Sequence, residues 1–261
     1  MRLVILAAGH GQRFKNAGFE MPKPLIQIGE MPIIEHTLSF AERQLPPFPL
    51  ENIIVISTPI VTEFIKDKYD GHVQTVTVNR IQPGPAASAL LCGGEVKLDD
   101  GPIIMMDSDV LMEDLNTILQ TVNRTFAMRS FIKGVMVITK KPGVNRTQFS
   151  TVGIEFDDSP SESNPLVVKI AEKKDIGSDY VGTGIYAFKN WKTFADAAVT
   201  EATKQRTYVT GRELYMSSVM QNILNQRNPV QAVIIPEALW TPVGSPRQLL
   251  EAMEKMENGN D

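Results

Sequence analysis

Short apolar runs alternate with amphipathic stretches along the first hundred residues. Residues 3–7, LVILA, are apolar throughout and stop at a glycine-rich turn, the pattern of a buried strand. Residues 32–43 place Ile34, Leu38 and Ala41 on one helical face, and Pro32 suits a first turn. Pro46, Pro47 and Pro49 then break the pattern. Residues 53–57 predict a second strand, 60–68 a helix and 73–78 a third strand. This β, α, β, α, β order predicts an α/β fold, a sheet with helices on its faces. Further strands are expected at 102–106, 134–139, 151–156, 167–171 and 230–234. Helices are expected at 190–203, at 212–225 with Glu213 near its start, and at 246–255, before a polar tail at 257–261. Trp191, Phe194, Ala195, Ala198 and Ala202 share a side of the first of these and read as core. The polar stretches 140–146 and 157–165 read as exposed loops. No internal repeat is present.

The chemistry gathers where predicted strands end. The first runs into Ala8-Gly9-His10-Gly11, a turn with little side-chain bulk. Glycines let a backbone approach a ligand and aim its N–H groups at an anion. Arg13 follows, and Lys23 stands between Pro22 and Pro24, which predicts a stiff, extended segment. Backbone donors, one forked cation and one point charge suit a phosphate. A lone Gly-x-Gly is equally the mark of a plain turn. The fourth strand ends in Asp107-Ser108-Asp109. Two carboxylates at such a strand end could share a Mg²⁺ ion with phosphate oxygens and water, or could simply bond turn N–H groups. Residues 79–89 form a loop entering a helix of small residues, which would let a ring or phosphate come close, or would pack tightly on the sheet.

Composition narrows the class. The 261 residues are 43% hydrophobic and 21% charged, as in a globular α/β protein. A net charge of -4 without a basic block argues against nucleic-acid binding. The single cysteine, Cys92, excludes an internal disulfide and a multi-cysteine zinc site, and its apolar setting predicts a buried thiol. The N-terminal apolar run is too short for a signal peptide or a membrane span, so a cytoplasmic location without membrane attachment is expected. His10, His36 and His72 are scattered and share no metal-ligand spacing.

Together, Leu6, Ala7, Ala8, Gly9, Gly11 and Arg13, followed by Pro22, Lys23 and Leu25, resemble the signature of the sugar-1-phosphate nucleotidyltransferases, L-A-A/G-G-x-G-x-R then P-K-x-L. The resemblance covers nearly the whole chain. It implies a Rossmann-like three-layer α/β/α fold with a mixed central sheet, of the nucleotide-diphospho-sugar transferase type. It implies one domain, with a nucleotide-binding half at about 1–112 and a sugar-phosphate-binding half at about 113–261. The implied reaction joins a nucleoside triphosphate to a sugar 1-phosphate, giving a nucleotide sugar and pyrophosphate, with Mg²⁺ as cofactor. In that family the glycine turn, here Leu6, Ala7, Ala8, Gly9 and Gly11, holds the nucleotide. Arg13 and Lys23 would be catalytic, steadying the reacting phosphates. Gln82, Gly84, Ala86 and Ser88 fall close to the family's base-reading stretch, with Pro85 in place of its Thr or Leu. Asp109, and second Asp107, would hold the metal. Gly153, Glu172, Lys173 and Thr183 match positions that bind the sugar phosphate, although Lys174 replaces the proline of E-K-P. Unaided by its place in the chain, Glu172-Lys173-Lys174 would read as a solvated patch.

One departure is sharp. Trp240-Thr241-Pro242-Val243-Gly244 resembles the family's W-x-D-V-G, and Pro242 stands where that pattern has a second metal-binding Asp. Proline has neither carboxylate nor N–H. The expectation is that Asp109, alone or with Asp107, carries the metal and that the free protein binds Mg²⁺ weakly. Two other assignments fit parts of the pattern: a cytidylyltransferase for a non-sugar phosphate such as phosphocholine, and a nucleotide- or sugar-binding regulator without turnover. A glycosyltransferase would share the D-x-D but would not need Arg13 with Lys23. Nucleobase, sugar and oligomeric state are not legible.

Overall fold

β1, Arg2–Ala7, explains its own sequence. Leu3, Ile5 and Ala7 point into one hydrophobic cluster and Val4 and Leu6 into another. A strand covered on both faces has no polar side, so it reads as an unbroken apolar run. The computed structural model describes residues 1–43, 48–96, 100–141, 146–156 and 165–258. Residues 142–145 and 157–164 of the expected loops, residues 46–47 of the proline-rich break, and residues 259–261 of the expected tail lie outside these.

A hairpin of β2, Gln27–Ile28, and β3, Met31–Pro32, follows the first turn. Then come β4, Ile53–Ser57, β5, Gln74–Thr77, β6, Ile103–Asp107, and β7, Val110–Met112. The later strands are β8, Gly134–Lys140, β9, Ser150–Glu155, β10, Leu166–Glu172, and β11, Tyr180–Phe188. β12, Val230–Ile235, and β13, Trp240–Pro242, complete the set among the described residues. Nine of them form one sheet in the order β5-β4-β1-β6-β11-β8-β12-β10-β9. β5, β4, β1 and β6 are mutually parallel, as are β8 and β12, while β11 runs antiparallel to both β6 and β8. The sheet is therefore mixed. β7 pairs with β13 apart from it.

Helices cover both faces. α1 is the short Gln12–Asn16. α2, Ile33–Arg43, and α3, Pro59–Tyr69, set Ile34, Leu38, Val61 and Ile65 against one face. The side chain of Ala41, expected on that helical face, lies outside the described residues. α4, Pro85–Ala89, and α5, Cys92–Glu95, lie on the other face, where Cys92 is fully buried. Burial pushes its thiol up to about 12, so it is a core side chain. α6, Leu115–Met128, was not expected from the sequence; Asp114 caps it by accepting from the Thr117 N–H at 3.1 Å. α7, Trp191–Gln205, is capped by Asn190 and packs Phe194, Ala198 and Ala202 on the sheet. α8, Thr207–Thr210, precedes α9, Met216–Asn225, and α10, Pro246–Asn258, runs three residues beyond its expected end. α9 also corrects the sequence reading: residues 212–215 are not helical. Gly211 sits at φ 68°, and the Leu214 backbone turns aside to bond the loop before α4. No helix among the described residues is long and apolar enough to cross a membrane.

Candidate active site

Strand order changes direction at β1. The chain proceeds from β1 to β4 on one side, while β6 lies on the other, with Leu6 opposite Asp107. Such a switch leaves a crevice at the carboxyl ends of the strands. The glycine turn leaves β1 there, and Asp107 ends β6 there. Gly11 caps α1 at φ 61°, a left-handed conformation that side chains disfavour.

Lys23 enters from a different backbone than expected. Pro22 is extended, but Lys23–Leu25 is a tight 3₁₀ turn, with the Leu25 N–H donating to Pro22 O at 2.8 Å. Pro24 occupies the second position of that turn, where its missing N–H leaves no bond unmade. The turn aims Lys23 Nζ at Asp109, and it donates to Oδ2 at 2.7 Å. The two side chains are only 17% and 27% exposed, so water screens the pair incompletely. Burial alone would raise Asp109, but Lys23, the residue's own backbone N–H and Arg13 outweigh it and hold the carboxyl below its ordinary value. Asp107 goes the other way. Burial first, then the neighbouring Asp109, push it up to about 8, with Lys23 opposing and Glu172 adding.

Each carboxylate lies against a glycine. A Cβ on Gly184, at φ 88°, would come within 3.1 Å of Asp107 Oδ2, and one on Gly244 within 2.8 Å of Asp109 Oδ2. Val243 N–H donates to Asp109 O at 2.8 Å, and Pro242 pairs with Val110. Pro242 thus borders the Asp109 turn and adds no donor.

The opposite wall comes from later in the chain. Glu172 ends β10 and its Oε2 accepts from Ser217 Oγ at 2.6 Å. Burial raises its pKa, and Ser217 and Lys173 oppose the rise. Lys173 Nζ donates to Tyr215 Oη, which in turn donates to Glu213. Thr183 Oγ1 donates to Val137 O at 2.9 Å, so its hydrogen is already used in the sheet. Trp240 Nε1 donates to Thr183 O and ties β13 to β11.

Lys23, Asp107, Asp109, Glu172, Lys173, Thr183, Gly184, Glu213, Tyr215, Trp240 and Gly244 line one cleft of about 410 Å³, together with Leu6, Ala7, Ala8, Gly9, Gly11, Arg13, Gln82 and Gly84. Two expected residues are not on its wall. Ala86 is buried and its N–H donates to Leu214 O, while Gly153 lies on β9 opposite Lys169. The reading from sequence missed Glu213, Tyr215 and Ser217, which the non-helical 211–215 segment and the start of α9 bring in. Among the described residues no group of three or more His, Cys, Asp or Glu side chains is arranged to hold a metal.

A family model described as nucleotidyl transferase matches residues 2–259. The chain belongs to the nucleotidyl transferase family. It is 22% identical over 253 residues to the bifunctional protein GlmU of Methanocaldococcus jannaschii, covering 97% of this chain and 53% of that protein. The chain thus spans about half the length of that curated relative. It is 24% identical over 191 residues to the UTP–glucose-1-phosphate uridylyltransferase AglF of Haloferax volcanii, covering 72% of each. The nucleoside-diphosphate-sugar pyrophosphorylase of Vibrio cholerae RC9 superposes with a TM-score of 0.70 at 18% identity, over 97% of this chain and 99% of that one, which establishes the shared fold. The segment from Leu6 to Leu25 lies at the switch point of the sheet, facing Asp107 and Asp109.

Proposed function

We propose that this nucleotidyl transferase joins a nucleoside triphosphate to a sugar 1-phosphate. A phosphate oxygen of the acceptor attacks the α-phosphorus in line, the bond to the β-phosphate oxygen breaks, and pyrophosphate leaves. The observation that carries the reading is the Lys23–Asp109 contact at 2.7 Å, which joins the glycine turn to the carboxylate turn at the mouth of the sheet. Little covalent help is needed for such a step. Positioning and charge neutralisation dominate it. Arg13 and Lys23 would hold the phosphates, and the loop at Gln82 and Gly84 would flank the base. Glu172 would accept from acceptor hydroxyls through the oxygen that Ser217 leaves free, and Lys173 would meet the acceptor phosphate.

The residues fit a Mg²⁺ ion. Asp107 and Asp109 offer hard oxygen donors, and Asp107 is held in a setting that penalises its negative charge unless a cation is near. Bound there, the ion would supply charge neutralisation on the triphosphate. Two carboxylates beside Pro242 leave the remaining positions to phosphate oxygens and water, so firm binding is expected only with nucleotide present. Metal titration with and without nucleotide measures this, and tight binding by the free protein would mean that another ligand completes the site. Pro242 is also the residue that favours a binding protein without turnover.

Pyrophosphate release, scanned over the four nucleoside triphosphates with a panel of sugar 1-phosphates and phosphocholine, decides between these. The proposal expects release only when triphosphate and a sugar 1-phosphate are both present. Release with phosphocholine alone among the acceptors, or with no acceptor of the panel, overturns it.

A further inference from the structure

The acceptor-side lysine does not stand free. Lys173 closes β10 at φ 52°, left-handed for a residue with a side chain, and its N–H donates to Phe149 O at 3.2 Å. Leaving the strand in this way takes its side chain out of the strand's alternation and across the cleft. There Nζ lies 2.7 Å from Tyr215 Oη and 4.3 Å from the centre of the Tyr215 ring. The ammonium therefore meets a lone pair and a π face of one side chain. Tyr215 can accept because it gives its own proton to Glu213. Its backbone is fixed as well: the preceding Leu214 donates to Pro83 O at 2.8 Å and accepts from Ala86 N–H at 3.1 Å. Gly84 makes that tie possible, since a Cβ there would come within 2.5 Å of the Leu214 nitrogen.

An exposed lysine ordinarily samples many rotamers and loses that freedom when it binds a phosphate. From this geometry we propose that Tyr215 is a positioning residue, holding Lys173 in place before the acceptor phosphate arrives. This rests on the sugar-phosphate reading of the cleft. Tyr215 does not touch the reacting atoms. It lowers the ordering cost of acceptor binding and leaves nucleotide binding alone.

Two variants separate the parts. Tyr215→Phe keeps the ring and loses the hydroxyl, and Tyr215→Leu loses both. The KM for the acceptor should rise about threefold to tenfold in the first and more in the second, with the KM for the triphosphate unchanged. In a Lys173→Ala background, Tyr215→Leu should add nothing. A rise in both KM values, or the same effect with Lys173 absent, would mark a merely structural role and overturn the inference. A second readout needs no turnover. Acylation of Lys173 by an amine reagent, followed by mass spectrometry, should be faster in Tyr215→Leu than in the wild type, because the ammonium is freed. Equal labelling rates overturn the inference whether or not the protein is active. A wild type that labels as expected but turns over no acceptor overturns the functional reading instead.

Discussion

Lys23 and Asp109 are 86 positions apart and meet at 2.7 Å, so each controls the other's charge environment. Replacing Lys23 by Ala should cost about a hundredfold or more in turnover, the usual effect of losing one charge contact made to the transition state. Circular dichroism should show an unchanged fold. Asp107 makes a prediction of opposite sign for stability. Its pKa rises from 3.8 in the unfolded chain to about 8 in the folded one. Between those values the folded form keeps a proton that the unfolded form has released, so stability falls as pH climbs from about 4 to about 8. Asp107→Asn removes the fall. Without divalent ions it should melt above the wild type at pH 8 and alongside it at pH 4, while losing activity; thermal unfolding at the two pH values reads this directly. Much of this wall was legible, since the turn glycines, Arg13, Lys23 and the two aspartates follow one another at strand ends. Ser217 and Tyr215 were not. Each reaches its partner, Glu172 or Lys173, across more than forty residues, and a Ser and a Tyr near a helix start carry no local mark of that meeting. Gly184 and Gly244 were visible as glycines, but the carboxylates they make room for were not.

The elements follow from their patterns wherever burial is uniform. β4 falls on residues 53–57 as expected because every side chain in it is buried. α6 has the required spacing in Leu115, Ile118, Leu119, Val122 and Phe126, and a capping Asp114, so the signal for this helix is present in the sequence. α9 is different. Residues 212–215 fit a helical pattern, but their backbone is taken by a loop more than a hundred residues earlier, a tertiary bond that overrides propensity. Gly84 is the hinge of that bond. At φ 100°, with the Leu214 backbone within 2.5 Å of where a Cβ would stand, Gly84→Ala is strained by about 1–3 kcal/mol and forces the loop and the 211–215 segment apart. Chemical denaturation should show the loss of stability, and calorimetry should show weaker triphosphate binding. A variant as stable as wild type, binding equally well, would remove Gly84 from this role.

At the scale of the molecule, the cleft works because one sheet spans both walls. The parallel strands β4, β1 and β6 bring the glycine turn and the aspartates to one edge, and this half was readable from the alternation of elements. β11 enters antiparallel beside β6, and its register with β8 shifts between Gly182 and Tyr186. That irregular stretch holds Gly184 against Asp107 and joins the late strands to the early ones. No local pattern announces such an insertion, which depends on pairing between distant strands. Under the proposed function, triphosphate charge would lie at Arg13, Lys23 and the aspartates and the acceptor near Glu172 and Lys173, groups that line one cleft. The most direct measurement of that account is the fate of the acceptor's own phosphate oxygens. A sugar 1-phosphate carrying ¹⁸O on its terminal phosphate oxygens is turned over with a nucleoside triphosphate, and both products are weighed by mass spectrometry. The account predicts that all the label stays in the nucleotide sugar and none enters the pyrophosphate; label in the pyrophosphate, or pyrophosphate released without a nucleotide sugar, would contradict it.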